Sequence, residues 1–91
     1  MTVIKSTEQV KSAIDRIGNS IGLVPTMGAL HDGHKSLIAR SKEENEKTAI
    51  SIFINPKQFN NTRDLLNYPK KLNQDLLIAK DLGVDIVWIP S

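Results

Sequence analysis

Ninety-one residues with 40% hydrophobic content are enough for one small domain, one that buries roughly 60–65% of its unfolded surface. Twelve Lys and Arg against ten Asp and Glu leave a net charge of +2, too slight for a nucleic-acid partner, and only Phe53, Phe59, Tyr68 and Trp88 are aromatic. The chain contains no cysteine, so it has neither a disulfide framework nor thiolate chemistry; no apolar run approaches the roughly 18 residues of a membrane span, and the N-terminus lacks the apolar core of a signal peptide. The expectation is a soluble, cytoplasmic protein.

Thr2 to Ile4 has the composition of a short edge strand. Ser6, with Gln9 three residues on, has capping-box form, and Val10, Ile14 and Ile17 repeat on one face of an amphipathic helix that Gly18 stops. Ile21 to Val24 is a short apolar run of the kind that forms a buried parallel strand, and Pro25 ends its ladder. A loop carrying Gly28 and Gly33 follows, then a helix from about Gly33 or His34 to Glu46, whose second half is a charged, solvated run. Thr48 to Ile54 is β-branched and almost continuously apolar, a strand buried on both faces that breaks at Asn55-Pro56. Residues 62–68 have room for a helical turn or two before Pro69. Leu72, Leu76, Ile78, Ala79 and Leu82 mark a helix from Lys70 to Leu82 that Gly83 closes, and Val84 to Ile89 reads as the next strand.

Helices alternating with strands define an α/β fold with a parallel sheet and right-handed crossovers. In such sheets the binding crevice lies where strand order reverses. Three strands wound one way make half of that crevice, so the expectation is a half-fold with the strand at 21–25 left unpaired on one edge.

The strands at 21–25 and 48–54 deliver polar loops at their C-terminal ends, with Thr26, His31, Asp32 and His34 on the first and Asn55, Lys57 and Gln58 on the second. If the strands are neighbours, the loops face one crevice. A glycine-bearing loop leading into a helix N-terminus suits polyphosphate, through its N–H groups and the positive end of the helix dipole. His31 and His34 are three residues apart, so they can point the same way and donate hydrogen bonds to phosphoryl oxygens as charge develops. Neither a P-loop nor Gly-x-Gly-x-x-Gly is present, which disfavours those nucleotide sites. His-x-x-His can also chelate zinc, but the chain has no cysteines and Asp32 sits between the histidines rather than at a zincin ligand spacing, so no metal set is assigned.

Residues Pro25 to His34 (PTMGALHDGH), followed by Ser51 to Phe59 (SIFINPKQF), closely resemble the pantoate–β-alanine ligase family, also called pantothenate synthetases. Tyr68-Pro69 and the Val84–Ser91 ending match as well. A His-x-Gly-His element alone marks a broad nucleotidyl-transferase superfamily; combined with Asn-Pro-x-Gln-Phe it is much more specific. The resemblance implies a three-layer Rossmann-like fold of the His-x-Gly-His nucleotidyl-transferase type. Residues 1–91 would be the first, N-terminal half of its ATP-binding domain, without the family's C-terminal lid, and unable to turn over alone. It implies ATP-dependent ligation of pantoate to β-alanine through a pantoyl adenylate, with ATP and Mg2+ arriving together as substrate, and a homodimer. By the same resemblance Met27, Gly28, Ala29, Leu30, His31, Asp32, Gly33 and His34 line the ATP site. His34 is the proton-donating catalytic residue and His31 helps bind phosphates, while Gly33 allows close approach of the nucleotide. Gln58, with Met27, Asn55 and Tyr68, holds pantoate and places β-alanine. A non-catalytic nucleotide-binding or dimerisation module, and another His-x-Gly-His nucleotidyl transferase, are the alternatives.

Overall fold

The computed structural model describes residues 1–18, 20–53 and 68–90. Along the chain come strand β1 (Thr2–Ile4), helix α1 (Thr7–Ile17), β2 (Ile21–Thr26), α2 (Asp32–Glu44), β3 (Lys47–Ile52), α3 (Tyr68–Asp81) and β4 (Ile86–Trp88). The strands form one four-stranded sheet in the order β1-β4-β3-β2, and every pair is parallel. From β2 the chain steps to β3 and then to β4, one neighbour at a time. The expected α/β architecture is therefore present, and among the described residues β2 has a neighbour on one side only.

Two apolar layers hold the helices to the sheet. On one face α1 packs Val10, with Ala13 and Ile17 beside it, against Ile4, Ala49 and Ile86. On the other face Val24, Ile38, Ile50, Ile52, Ala79 and Val87 form the larger core, with Leu72, Leu76, Ile78 and Leu82 of α3 and its C-terminal turn against it. Ile50, Ile52 and Val87 are fully buried, each contributing about 1.5–3 kcal/mol by removal from water. The near-continuous apolar character of β3 has this cause: both of its faces are covered.

Local chemistry sets the element ends. Ser6 caps α1, its Oγ accepting the Gln9 N–H at 3.3 Å, and Gly18 ends the helix in the left-handed region. Gln9 makes no return bond among the described residues, so only half of the anticipated capping box forms. Helix α2 stops two residues before Glu46, because Asn45 turns extended while its N–H still donates to the Ser41 carbonyl. Pro69 is no breaker: it is the second residue of α3, where a missing N–H costs nothing. Strand β4 starts later than Val84 because the Val84 N–H closes the α3 terminus on the Ala79 carbonyl at 3.1 Å. The flanking Asp85 and Ile89 N–H groups still bond the neighbouring strands, to the Thr48 carbonyl at 2.9 Å and the Ile4 carbonyl at 2.8 Å.

Candidate functional site

The C-terminal ends of β2 and β3 lie side by side, with Thr26 paired to Ile52. Thr26 is buried and ties the two ends together: its hydroxyl donates to the Ser51 carbonyl at 2.9 Å and accepts the Gly28 N–H at 3.2 Å. The Phe53 N–H continues the ladder to the Thr26 carbonyl at 3.0 Å. Above this junction is a cleft of about 330 Å³ lined by Pro25, Thr26, Met27, His34, Ser51 and Phe53. A larger cleft, about 600 Å³, lies between β1 and α1. It has no histidine and sits on the far edge of the sheet, so the smaller one is where chemistry converges.

From Thr26 the chain turns sharply. Gly28 and Ala29 both have positive φ, at 85° and 53°, and for alanine that region is costly, about 1–2 kcal/mol. The turn is held from α3. The Asp75 carboxylate, 4% exposed, accepts the Ala29 N–H on Oδ2 at 2.8 Å and the Leu30 N–H on Oδ1 at 2.9 Å. Leu30 itself drops into the larger core, so among the residues assigned to the ATP site its side chain is a packing element.

Both histidines then start α2. His31 is the N-cap, and its Nδ1 accepts the Gly33 N–H at 3.0 Å. His34, at the third helical position, returns the bond: its Nδ1 accepts the His31 N–H at 3.2 Å. The rings lie 4.1 Å apart between centroids, tilted by 40°, so the expectation that they point together holds. Two imidazoles thus form a capping box usually built from Ser or Thr with Glu or Gln. The bonding pattern assigns the tautomers: with Nδ1 accepting, the proton of each neutral ring is on Nε2, on the side away from its backbone partner. The N–H groups of His31 and Gly33, expected to be free for an anion, are taken by the rings. The junction presents Nε2–H donors in their place. Partial burial, and next the neighbouring His31, hold His34 below the ordinary histidine value of 6.5, against an opposing pull from Asp75. Near neutrality His34 is an uncharged donor.

Gly33 is required by the cap itself. A Cβ there would meet His31 Cε1 at 2.9 Å and Nδ1 at 3.2 Å, so the ring of His31 occupies the space that a side chain would need. Asp32 is exposed and pairs loosely with Lys35 at 3.6 Å, and Met27 is 63% exposed on the cleft rim. Asn55, Lys57 and Gln58, and the side chain of Tyr68, lie outside the described residues. Among those described, no group of three or more His, Cys, Asp or Glu gathers as a metal site, and no helix is long and apolar enough to cross a membrane.

Sequence reasoning overlooked Asp75, and a signal was there. It falls three residues after Leu72 and four before Ala79, on the buried stripe of α3, where a carboxylate needs partners.

Comparison with known proteins agrees with this geometry. The profile of the pantoate-beta-alanine ligase family matches residues 2–91. The chain is 43% identical over 91 residues to a pantothenate synthetase of Bacillus cereus, covering all of this chain and 32% of that protein. It is 46% identical over 94 positions to a pantoate–beta-alanine ligase of Schizosaccharomyces pombe, covering 33% of it. Among solved structures, a Francisella tularensis pantoate-beta-alanine ligase complexed with beta-gamma ATP and beta-alanine superposes on the whole chain with a TM-score of 0.80 at 45% identity, over 36% of its own length. The Thermus thermophilus pantothenate synthetase gives 0.79 at 35% identity, over 32% of its length. The chain therefore spans about a third of the length of the relatives it matches. With the histidine junction, the parallel sheet and the profile match in agreement, the chain belongs to the pantoate-beta-alanine ligase family.

Proposed function

We propose that these residues supply the ATP- and pantoate-binding half-site of a two-step ligase. The observation that carries this reading is the imidazole capping box, which engages both Nδ1 atoms and so leaves Nε2 of each ring to donate, with His34 lining the cleft at the C-terminal ends of β2 and β3. The Francisella relative's complex with beta-gamma ATP and beta-alanine supports the choice of ligands.

In the first step a pantoate carboxylate oxygen attacks the α-phosphorus of Mg-ATP; the bond to the bridging oxygen breaks, and pyrophosphate leaves. In the second, the amine of β-alanine attacks the acyl carbon of pantoyl adenylate and AMP departs, giving pantothenate. Charge develops on phosphate oxygens in the first step, and preorganised donors stabilise it most when they need not reorganise. Capping supplies that preorganisation, since each ring is held by a backbone N–H on its opposite nitrogen. His34 acts as a neutral hydrogen-bond donor through Nε2–H rather than by releasing a full proton, and His31 supports the phosphates beside it. Met27, Gly28, Asp32 and Gly33 complete the ATP wall, and Gln58, Asn55 and Tyr68 take pantoate and β-alanine. Mg2+ enters with ATP.

The same reading includes a cytoplasmic location and a homodimer. Even-numbered residues of β2 turn their peptide groups to β3, since the carbonyls of Ser20 and Thr26 accept from Lys47 and Phe53. Those of Ile21 and Leu23 face the open side, and Leu23 is 60% exposed, a surface suited to pairing.

The test is an NMR titration of the labelled chain with Mg-ATP and with pantoate. The expected result is shifts clustered at residues 26–34 and 55–59, with the ATP response weakened in His34→Ala and the pantoate response removed in Gln58→Ala. A folded spectrum that responds to neither ligand overturns the reading. Response to Mg-ATP without any to pantoate favours another His-x-Gly-His nucleotidyl transferase.

A further inference from the structure

We infer that Asp75 is a positioning residue of the histidine site: from α3 its carboxylate clamps the Gly28–Leu30 turn and so sets where His31 and His34 stand. The inference rests on the half-site reading above for its ligand and on geometry for everything else.

The turn would not hold this shape by local preference. Gly28 at φ 85° and Ala29 at φ 53° are consecutive left-handed residues, and the second has a side chain that disfavours the region. Backbone of this kind makes successive N–H groups converge into a concavity that takes an anion. In nucleotide sites a phosphate commonly fills such a concavity; here the protein's own carboxylate does, with one oxygen on each N–H at 2.8 and 2.9 Å. The Ala29 and Leu30 N–H groups are thereby withheld from ATP. Their task is to anchor the loop.

Two further observations locate the effect of that anchor. Leu30 is pinned twice, by its N–H to Asp75 and by its side chain in the core, and His31 is the next residue. The cap then propagates the position, because the His31 N–H holds the ring of His34 and the His31 ring holds the Gly33 N–H. A shift of the turn displaces both donors together. Asp75 lies 45 residues from Leu30 in sequence, in the helix that follows the segment carrying Asn55 and Gln58. One carboxylate thus links the ATP loop to the helix that follows Asn55 and Gln58 in sequence.

Asp75→Asn tests this, since the amide keeps one acceptor and sets an NH2 group against the other backbone N–H. Three readouts are taken on the labelled chain: thermal stability, the imidazole 15N shifts of His31 and His34, and Mg-ATP affinity by titration. Ile86→Val, a truncation in the separate core on the other face of the sheet, serves as the stability control. The expected result is that Asp75→Asn moves both rings from a single Nε2–H tautomer toward averaged shifts and weakens Mg-ATP at least tenfold, while Ile86→Val changes stability alone. Where Asp75→Asn does not fold, the same readouts are made in an Ala29→Gly background, in which the left-handed position is unstrained. Unchanged tautomers in the variant overturn the proposal and reduce Asp75 to a stability residue. Averaged tautomers with no Mg-ATP binding even in the parent support the positioning role while overturning the half-site reading, so the two failures are distinguishable.

Discussion

The imidazoles of His31 and His34 cap helix α2 reciprocally, each accepting a backbone N–H on Nδ1, at 3.0 Å from Gly33 and 3.2 Å from His31. The residues that stand as candidate chemistry are therefore also the fold's own helix start. Substitutions that remove an imidazole mix two effects unless the cap is replaced. Gln is the usual reciprocal residue at the third helical position. His34→Gln is expected to keep stability within about 0.5 kcal/mol of the parent while the Mg-ATP response is lost; His34→Ala should lose both. Chemical denaturation beside ligand titration separates them, and a His34→Gln chain that binds Mg-ATP as the parent does would remove the imidazole from the site.

The cap also sets a pH dependence. His34 is held below the ordinary histidine value of 6.5 by burial, then by His31. Above that value the ring is neutral in both folded and unfolded chains, and its contribution is fully present. As pH falls through 6.5, the unfolded chain takes up the proton first, so stability declines until the lower folded value is passed, and the loss then saturates. Protonation also converts Nδ1 from acceptor to donor and breaks the bond to the His31 N–H. Melting temperature measured from pH 8 down to 5 should fall for the parent, with a smaller slope in His34→Gln. Equal slopes would show that His34 does not titrate with folding.

Gly33 offers a way to separate two reasons for a small residue. Alanine gains up to about 1 kcal/mol in helix propensity, but its Cβ would lie 2.9 Å from His31 Cε1 and displace a cap worth about 1 kcal/mol. Gly33→Ala should therefore leave stability nearly unchanged while shifting the His31 ring resonances with no ligand present. If glycine serves only nucleotide approach, the ring stays where it is until ATP is added.

Thr26 is the joint beneath the cleft. It is 6% exposed, and its hydroxyl satisfies both the Ser51 carbonyl and the Gly28 N–H. Thr26→Val preserves shape and strands both partners, which should cost about 1–3 kcal/mol. Hydrogen exchange at Gly28 should accelerate with it; protection equal to the parent's would mean that the hydroxyl is not the joint.

Much of this frame was readable from the residues. β-Branched runs mark β2 and β3, the 3–4 spacing of Val10, Ile14 and Ile17 marks α1, and parallel crossovers require β2 and β3 to be neighbours if the histidine loop is to face the next one. What was not readable depends on partners far away in sequence or on unusual use of a side chain. Histidine is a rare capping residue, so His31 and His34 read as ligand donors and not as the helix start that they also are. Pro69 read as a break because proline in a first helical turn looks the same in sequence as proline beyond a helix end. Asp75 was concealed by its separation of 46 positions from Ala29, although its place on an apolar stripe pointed to a buried partner.

The side of β2 away from β3, unpaired among the described residues, carries the remaining prediction. A parallel edge strand with open peptide groups at Ile21 and Leu23 invites another strand, and proteins that leave such an edge exposed usually guard it with a charge or a proline. Pro25 guards only the last part of this one, since it removes a single N–H. Leu23, 60% exposed, adds an apolar side chain where a lone soluble strand would more often place lysine. The chain should therefore self-associate as its concentration rises, and Leu23→Lys should shift it toward monomer without altering Val24 or Ile50, whose side chains are buried in the core on the opposite face. Sedimentation velocity across a hundredfold concentration range reads this directly. A parent that stays monomeric throughout would exclude β2 as a pairing surface.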